Sequence, residues 1–524
     1  MSPGQAGAGR INMKVRYRFW EFLVRRRLSA LFIPLVVAAP MALLQSPATA
    51  APVAAKPYDF NGDGHPDLVV GADSLQVGSV RRAGGVLILP GSSKGLSTGK
   101  QVITQASSQV PGEPKPGYRF GAAFASADFN RDGFADLAIG VPADDVGGDD
   151  EAAGSVTVLL GSASGLTGKG SYVLTRAGAA SDDGFGAALA TADLDGDGLP
   201  ELVVGAPYIQ DEGADPNAED SSASGSVTVF RGTDSHFSTE QSSVVRGVRT
   251  GSDDDEDFGS SLAVGDVEGT GGTDLVVGSR GVAYEDGDGH AGFVTVCPAG
   301  TSCRRLPSDR RYPGLASLAV GNVSGSSRPE IVLGVVPDPG AEDADGGSVF
   351  TLSLSGSGAS LSATSTGLTQ DTKGVPGSDE RNDGFGYAVA LGDLDRDGFA
   401  DLVVGSPGEG VGSRDGAGRV TVVYGGQVGY RTSGNKAYDQ NTRGVPGTAE
   451  SNDGFGAALA LSDHDRDGHL DLTVGAPGEN GSGAVTTLTG SGHSFTTEGA
   501  RTFGLKTLGY SDRKDAGFGD AVAG

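Results

Sequence analysis

Cysteine is nearly absent from this sequence of 524 residues, and basic residues are few relative to acidic ones. The two cysteines, Cys297 and Cys303, flank a PAGTS turn. In an oxidising compartment we expect them to form a short local disulfide that does not define the fold. The chain has 39 Lys and Arg against 66 Asp and Glu, a net charge of −27. This acidity argues against nucleic acid as a partner, because phosphates require a basic surface.

Histidine and tryptophan are also scarce, with six residues and one residue. The histidines are scattered, and no nucleophile, acid/base pair or open metal site stands out, as an enzyme would need. We therefore predict that the protein is not an enzyme, although carboxylates on different loops could still converge as an acid/base pair. The single tryptophan lies in the first fifty residues. If those residues are removed as a leader, no tryptophan remains, and this weakens a sugar-binding interpretation because sugars favour aromatic platforms. Tyr208, Tyr284 and Tyr387 remain available for that role.

Long hydrophobic runs are confined to the amino terminus. Three arginines at 25–27 precede an apolar segment at 28–44, and an A-x-A cleavage site ends at Ala50. Residues 1–50 are predicted to be a signal peptide cleaved after Ala50, exported by the Sec or the twin-arginine route, with an uncleaved membrane anchor as the alternative. No other segment could span a bilayer. We expect a secreted, extracellular mature chain without a membrane span.

Aspartate and glycine, by contrast, are abundant and patterned. The nine-residue pattern D-x-[DN]-x-D-G-x-x-[DE] occurs five times. Oxygen ligands at alternate positions of a tight loop suit Ca²⁺, and glycine at position six allows a turn with positive φ. Positions one, three, five and nine are predicted to bind through side chains and position seven through its backbone carbonyl. The predicted ligands are Asp59, Asn61, Asp63, His65 and Asp67; Asp128, Asn130, Asp132, Phe134 and Asp136; Asp193, Asp195, Asp197, Leu199 and Glu201; Asp393, Asp395, Asp397, Phe399 and Asp401; and Asp463, Asp465, Asp467, His469 and Asp471.

Two other interpretations of these loops fit less well. An EF-hand loop has twelve residues, closes with a bidentate glutamate and lies between helices. In this chain position twelve is Val or Ile, and strand-like sequences such as ELVVGAP follow the loops. Plain turns rich in Asp and Gly could produce one copy by chance, but not five in register. The pattern therefore predicts about five calcium sites, each in a loop that joins two strands.

The loops also recur at a regular period. Two degenerate copies, for which metal binding stays open, begin at Asp266 and Asn322 and give starts at 59, 128, 193, 266, 322, 393 and 463. Eight residues before most starts stands a Phe-Gly pair, and Leu315 takes that place in the fifth unit. Each unit then contains strand A, the metal loop, strand B, a long polar loop, strand C and a weaker strand D. Four antiparallel strands repeated seven times predict an all-β, seven-bladed β-propeller over residues 51–524.

The two ends of the chain are predicted to complete one blade. The first unit begins at its metal loop without a Phe-Gly strand, whereas the carboxyl terminus carries such a strand, at Phe518-Gly519, with no loop after it. We expect this C-terminal strand to complete the first blade and close the ring. The alternative is a truncated chain.

The Phe-Gly strand, the calcium hairpin and the Gly-Ala-Pro endings at 205–207 and 475–477 resemble the FG-GAP repeats of the integrin alpha-subunit propeller. The resemblance covers the chain after residue 56 and implies a propeller with bound calcium, but no single activity. Similar repeats occur in secreted bacterial proteins, in a fungal sugar-binding lectin and behind the catalytic domain of glycosylphosphatidylinositol-specific phospholipase D. Integrin alpha chains have three to four such loops, continue into leg domains and cross the membrane, so integrin heterodimerisation is not implied.

The propeller fold would also divide the loops between two faces. With the metal loops on one face, the long acidic loops that hold residues such as Asp144, Asp211 and Asp343 lie on the other. A partner site is expected there, since functional sites concentrate in loops on a rigid scaffold, with plain solvation as the alternative. We predict a secreted, monomeric calcium-binding propeller that serves as an adhesion or ligand-binding module for an extracellular protein or glycan. The alternative is an extracellular carbohydrate- or lipid-active enzyme with its site in the propeller centre.

Overall fold

The structure is a computed structural model of the full chain. It describes residues 54–145, 152–176, 183–208, 225–233, 236–246, 257–281, 292–298, 303–306, 312, 314–336, 346–509 and 515–524. The predicted signal peptide at 1–50 lies outside these residues and stays a prediction. Within the described part of the chain, no helix is long and apolar enough to cross a membrane.

Seven antiparallel sheets of four strands form the fold, as predicted. Each sheet is one blade, in which the strands lie side by side in the order A, B, C and D. The strands are β28 (Phe518–Ala523), β1 (Leu68–Ala72), β2 (Gly85–Leu89) and β3 (Gln101–Ile103) in blade one; β4 (Phe124–Ala127), β5 (Asp136–Val141), β6 (Ser155–Leu160) and β7 (Thr167–Leu174) in blade two; β8 (Ala188–Ala192), β9 (Glu201–Ala206), β10 (Ser226–Arg231) and β11 (Ser238–Arg246) in blade three; β12 (Phe258–Gly265), β13 (Asp274–Ser279), β14 (Phe293–Cys297) and β15 (Arg304–Arg305) in blade four; β16 (Leu315–Gly321), β17 (Glu330–Val335), β18 (Ser348–Ser355) and β19 (Ser362–Leu368) in blade five; β20 (Ala388–Gly392), β21 (Asp401–Ser406), β22 (Arg419–Val423) and β23 (Lys436–Tyr438) in blade six; and β24 (Ala458–Ser462), β25 (Asp471–Ala476), β26 (Ala484–Gly490) and β27 (Phe495–Gly504) in blade seven. Two short 3-10 helices lie at Gly358–Ser360 and Glu479–Gly481.

Strand B is the most deeply buried strand of each blade. Every residue of β9, β13, β17, β21 and β25 is buried. Their sequences, such as ELVVGA and DLVVGS, are runs of β-branched and apolar residues without a polar alternation. Such runs are typical of strands covered on both faces, which is the position of a strand inside a blade that packs between two neighbours.

The ring closes through the two chain termini. β28 pairs with β1, with Val69 opposite Ala523, Val70 opposite Val522 and Ala72 opposite Phe518. β28 also contacts the A strands of the blades on either side, β24 and β4. The prediction that the C-terminal strand completes the first blade is confirmed.

The Phe-Gly pairs fill the seams between blades. Phe185 is fully buried among side chains of blades two and three. It forms a parallel bridge with Gly154 of the preceding blade rather than continuing strand A. Gly186 follows with φ 95°, and its carbonyl lies so close to Gly140 of blade two that a Cβ at Gly140 would overlap it. The prediction that strand A begins at the Phe-Gly pair is therefore wrong in blades two, three, six and seven, where strand A begins two or three residues after the glycine, and it holds in blades one and four, where β28 and β12 begin at the phenylalanine.

The two cysteines form the expected disulfide. Cys297 is the last residue of β14, and Cys303 precedes β15, so the bond joins strands C and D of blade four. Because only a few residues separate the two, the bond is a local staple and not a link between blades.

Candidate metal centres

The five complete metal loops lie at equivalent places in their blades. In blades two, three, six and seven the loop joins strand A to strand B, as the loop at 193–201 joins β8 to β9, and in blade one the loop at 59–67 leads directly into strand B, β1. Because the A strands surround the axis and run in the same sense in every blade, the loops emerge together on one face of the propeller. We call this the metal-loop face.

Two backbone hydrogen bonds shape each loop. In blade three, the N–H of Gly198 donates to Asp193 Oδ2 at 2.9 Å, and the N–H of Leu199 donates to Asp197 Oδ1 at 2.8 Å. The same pair, from position six to position one and from position seven to position five, recurs in the other four loops at 2.8–3.0 Å. These bonds hold the carboxylates at positions one and five in fixed orientations around a common centre.

The structure brings the predicted carboxylates of three loops close together. Within each of three groups, ligand atoms lie within 4.8 Å of one another; the groups are Asp193, Asp195 and Asp197; Asp393, Asp395 and Asp401; and Asp463, Asp465 and Asp467. The loops of blades one and two have an amide at position three. There Asn61 Oδ1 accepts from the N–H of Asp63 at 2.7 Å, and Asn130 Oδ1 accepts from the N–H of Asp132 at 2.9 Å.

The donor atoms fit a hard divalent cation. The buried Oδ1 atoms of Asp59, Asp395 and Asp463 have no hydrogen-bond partner among the described residues. An unpaired buried carboxylate oxygen is costly, and a cation at the loop centre would satisfy it. The four predicted side chains and the predicted carbonyl would supply five or more oxygens, a number that suits Ca²⁺ better than Mg²⁺, which keeps several waters.

Position nine has a second role that the sequence pattern did not reveal. Asp67 accepts from the N–H of Phe60 at 3.2 Å and from the N–H of Gly91, after strand C, at 3.0 Å. Both bonds also occur at Asp136, Asp401 and Asp471. Burial raises the pKa of Asp67 to about 7, because the charged form loses hydration. The carboxylate at position nine therefore ties the loop to its blade.

The degenerate loops keep a bond to position nine within the loop, from position three in blade four and from position two in blade five. The N–H of Glu268 donates to Asp274 Oδ2 at 2.9 Å, and the N–H of Val323 donates to Glu330 Oε2 at 3.0 Å. The hairpin of a blade thus forms without a full set of oxygen ligands. Whether these two loops bind metal stays open.

Arginines approach two of the loops from the end of strand C or just beyond it. The guanidinium of Arg431 contacts Asp395 at 2.7 Å and also Asp397, and Arg231 contacts Asp195 at 2.8 Å. Neither arginine belongs to a local motif, since each lies more than thirty positions from its partner in the sequence. Only the folded blade reveals that these cations sit beside predicted metal ligands.

A second candidate site lies at the propeller centre on the face opposite the metal loops. A cavity of about 270 Å³ is lined by residues from five successive blades, among them Arg119, Tyr208, Asp257, Arg280 and Tyr387. The tyrosines are 47% and 49% exposed, which is unusual for large side chains in this protein. Tyr387 follows a Phe-Gly pair, a place occupied by alanine in blades two and three.

A charged cluster stands beside this cavity where blade one meets blade two. Arg119 has φ 62° at a position that is glycine in most blades, and its Nε donates to Asp73 Oδ2 at 2.8 Å. Burial and the nearby Asp73 raise the pKa of Asp520 well above its usual range. Of the acidic residues predicted for this face, Asp144 accepts a hydrogen bond from the hydroxyl of Ser155 at 2.6 Å. Asp211, Asp343 and Tyr284 lie outside the described residues.

Comparison with known proteins agrees with this architecture. Five segments match the FG-GAP repeat model: 54–89, 120–159, 185–230, 385–423 and 455–488. They fall in the five blades that carry complete metal loops.

The relatives of this chain are of two kinds. The chain is 29% identical to the Phosphatidylinositol-glycan-specific phospholipase D of Homo sapiens over 371 residues, 67% of this chain and 42% of that protein. It is 38% identical to the Rattus norvegicus protein of the same name over 151 residues, 29% of this chain and 18% of that one. It is 36% identical to Integrin alpha-IIb of Mus musculus over 156 residues, 28% of this chain and 14% of that protein. The chain thus spans less than half the length of the curated relatives it matches.

Fold and loops together define a seven-bladed β-propeller with acidic hairpin loops on one face. With the repeat matches and these relatives, the chain contains five FG-GAP repeats and is similar to the integrin alpha propeller.

Proposed function

We propose that this protein is a secreted propeller held together by calcium, which presents a ligand-binding surface to an extracellular protein or glycan. The observation that carries the calcium part is the set of buried carboxylate oxygens at Asp59, Asp395 and Asp463 that lack hydrogen-bond partners. These atoms sit in loops whose backbone already fixes them around one point. A hard cation is the ligand that best completes such a site.

The stabilising role of the ion can be estimated. Calcium at tenfold its dissociation constant adds about 1.4 kcal/mol per site to the folded state. Five sites would add roughly 7 kcal/mol, which is comparable with the net stability of a whole domain. An export route to a compartment with abundant calcium, as the predicted signal peptide implies, would keep the loops filled.

The test is a metal titration of the purified mature chain. We expect about five Ca²⁺ per chain by elemental analysis after dialysis, and a marked fall of the melting temperature in excess EDTA that calcium restores and magnesium does not. An EDTA-treated protein that melts at the same temperature as the calcium-treated one would contradict the proposal.

The ligand surface is assigned to the central cavity opposite the metal-loop face. Its two exposed tyrosines, Tyr208 and Tyr387, stand on rigid blade ends, as is usual for binding residues on a scaffold. The named relatives include an integrin alpha subunit, which supports a binding role. Screening the calcium-loaded protein and its Tyr387→Ala variant on arrays of glycans and extracellular proteins tests this assignment. Binding that is lost in the variant supports it, and binding that the variant retains places the ligand elsewhere.

A second candidate function is hydrolysis at the same cavity. Asp73 and Asp520 come close together beside it, and the raised pKa of Asp520 is what an acid/base carboxyl requires. The match to a phospholipase supports testing it, although the chain covers only part of that relative. A screen of glycoside and phospholipid substrates with the wild type and Asp520→Asn would support this function if turnover appears and the variant abolishes it.

A further inference from the structure

Three complete metal loops carry arginine at position four, between two predicted ligands. The residues are Arg131, Arg396 and Arg466. Each has the left-handed backbone that glycine adopts at the same position in other loops, with φ of 56°, 60° and 58°. An L-residue in this conformation is strained, so the side chain is expected to contribute something that glycine would not.

Each of these arginines reaches the metal loop of the next blade. Arg131 Nη2 donates to the carbonyl of Gly198 at 2.5 Å, and Arg396 Nη2 donates to the carbonyl of Gly468. The guanidinium of Arg466 lies so close to Gly64 that a Cβ there would overlap it. In all three cases the contacted residue is the glycine at position six of a complete loop.

The peptide unit that the arginine contacts also donates a hydrogen bond to a predicted metal ligand, the aspartate at position five. The carbonyl of Gly198 and the N–H of Leu199 belong to one planar peptide. That N–H donates to Asp197 Oδ1 at 2.8 Å. The same relation connects Gly468, His469 and Asp467, where the bond is 2.8 Å. An arginine that fixes the plane of this peptide therefore fixes the position-five carboxylate of the neighbouring loop.

The placement of arginine follows the metal loops around the ring. Complete loops adjoin each other at four places, from blade six to seven, seven to one, one to two and two to three, and arginine bridges three of these. At the fourth, Gly62 takes position four, and the ring of Phe134 fills the space above it. The loop of blade three, which adjoins a degenerate loop, has Gly196 at position four. A Cβ on Gly196 would have no other atom within 4 Å.

We propose that these arginines are positioning residues that couple calcium binding between neighbouring blades. Filling one loop orders its position-four backbone, because positions three and five on either side are ligands. The ordered arginine then holds the peptide and the position-five carboxylate of the next loop in the binding geometry. By linkage, filling the second loop favours filling the first to the same extent. This inference rests on the proposed calcium binding.

Hydrogen exchange with mass spectrometry tests it, because that method follows each loop separately during a calcium titration. Arg396→Gly should raise the calcium midpoint of the loop at 463–471 by about five- to tenfold, the amount expected for one hydrogen bond of ordinary net strength, and leave the loop at 193–201 unchanged. Arg131→Gly should do the reverse. The two variants control each other, and glycine suits the backbone at position four, so neither substitution strains its own loop.

The outcomes separate the two proposals. If no wild-type loop gains protection in calcium, the proposed calcium binding fails. If the wild-type loops respond but neither variant shifts its neighbour, the coupling fails. A shift of the neighbour toward tighter binding would also overturn it, because the guanidinium would then act by charge repulsion of Ca²⁺ and not by positioning.

Discussion

Val70 and Val522 lie opposite each other in antiparallel strands, although one is near the start of the propeller and the other is near the end of the chain. The pairing makes blade one a composite of both termini. A propeller closed in this way has no open seam at which blades can separate, and its stability depends on a strand only a few residues long. Phe518 is the anchor of that strand, fully buried between blades one and seven.

The first prediction concerns this anchor. Phe518→Ala should lower the free energy of unfolding by about 3–5 kcal/mol, because it leaves a cavity where the ring closes. Val428→Ala is the matched control, since that side chain is 96% exposed and its removal should change stability by less than about 0.5 kcal/mol. Thermal and denaturant unfolding of both variants in calcium checks this. Equal stability of the two would show that the closing strand is dispensable.

The sequence predicted the repeated parts of the fold well. The Phe-Gly pairs, the metal-loop pattern and the apolar B strands each depend on neighbours within one blade or on the period between blades. For that reason the seven blades, the closure through Phe518 and the role of Leu315 in the fifth blade could be predicted. Leu315 is 1% exposed and begins the A strand of blade five.

Contacts that depend on ring geometry could not be predicted in the same way. Arg396 reaches a loop that begins almost seventy residues later, and Arg431 returns to its own loop from beyond strand C. The bond from Gly91 to Asp67 requires the register of strands B and C. The central cavity combines one to three residues from each of five blades, so residues far apart in the sequence line it together. Such contacts follow only when the positions of the blades are known.

A second prediction uses two arginines of blade six that should have opposite effects. Arg431 lies beside Asp395 and Asp397, so its charge competes with an incoming cation. Arg431→Gln should therefore tighten calcium binding by the loop at 393–401, by about three- to tenfold, while keeping most of the side-chain packing. Arg396→Gly should weaken binding in the next loop. Loop-resolved calcium titrations of the two variants check the signs, and weaker binding in Arg431→Gln would mean that Arg431 supports the site.

A third prediction separates the structural and metal-binding roles of the loop carboxylates. Glu330 in a degenerate loop accepts from the N–H of Val323 at 3.0 Å and from the hydroxyl of Ser324. Glu330→Ala leaves these donors unpaired and should cost about 1–3 kcal/mol, whether or not calcium is present. Asp467→Asn keeps an acceptor for the N–H of His469 but removes a ligand charge. It should therefore lower the melting temperature only in calcium.

Melting both variants in calcium and in EDTA completes this comparison. The decisive quantity is the difference between the two conditions for each variant. A calcium-dependent loss in Glu330→Ala would assign metal to the degenerate loop, and a loss in Asp467→Asn that persists in EDTA would assign that residue a structural role.

The last prediction is a pH dependence on the face opposite the metal loops. Asp453 is 1% exposed, and burial raises its pKa to about 6, with the acidic groups of Glu479 and Glu450 adding to the shift. Because the folded pKa is above the unfolded value of 3.8, the folded state binds the proton more strongly. The stability from this group is complete below pH 4 and is lost as the pH rises through about 6.

Asp453→Asn can still accept from the N–H of Glu450, and it has no charge to bury. It should be more stable than the wild type by about 1–3 kcal/mol at pH 7.5, and by only about a third of that amount at pH 4.5. Chemical denaturation at both values in saturating calcium measures the difference. A variant that is less stable at pH 7.5 would mean that the ionised carboxylate is favourable where it lies.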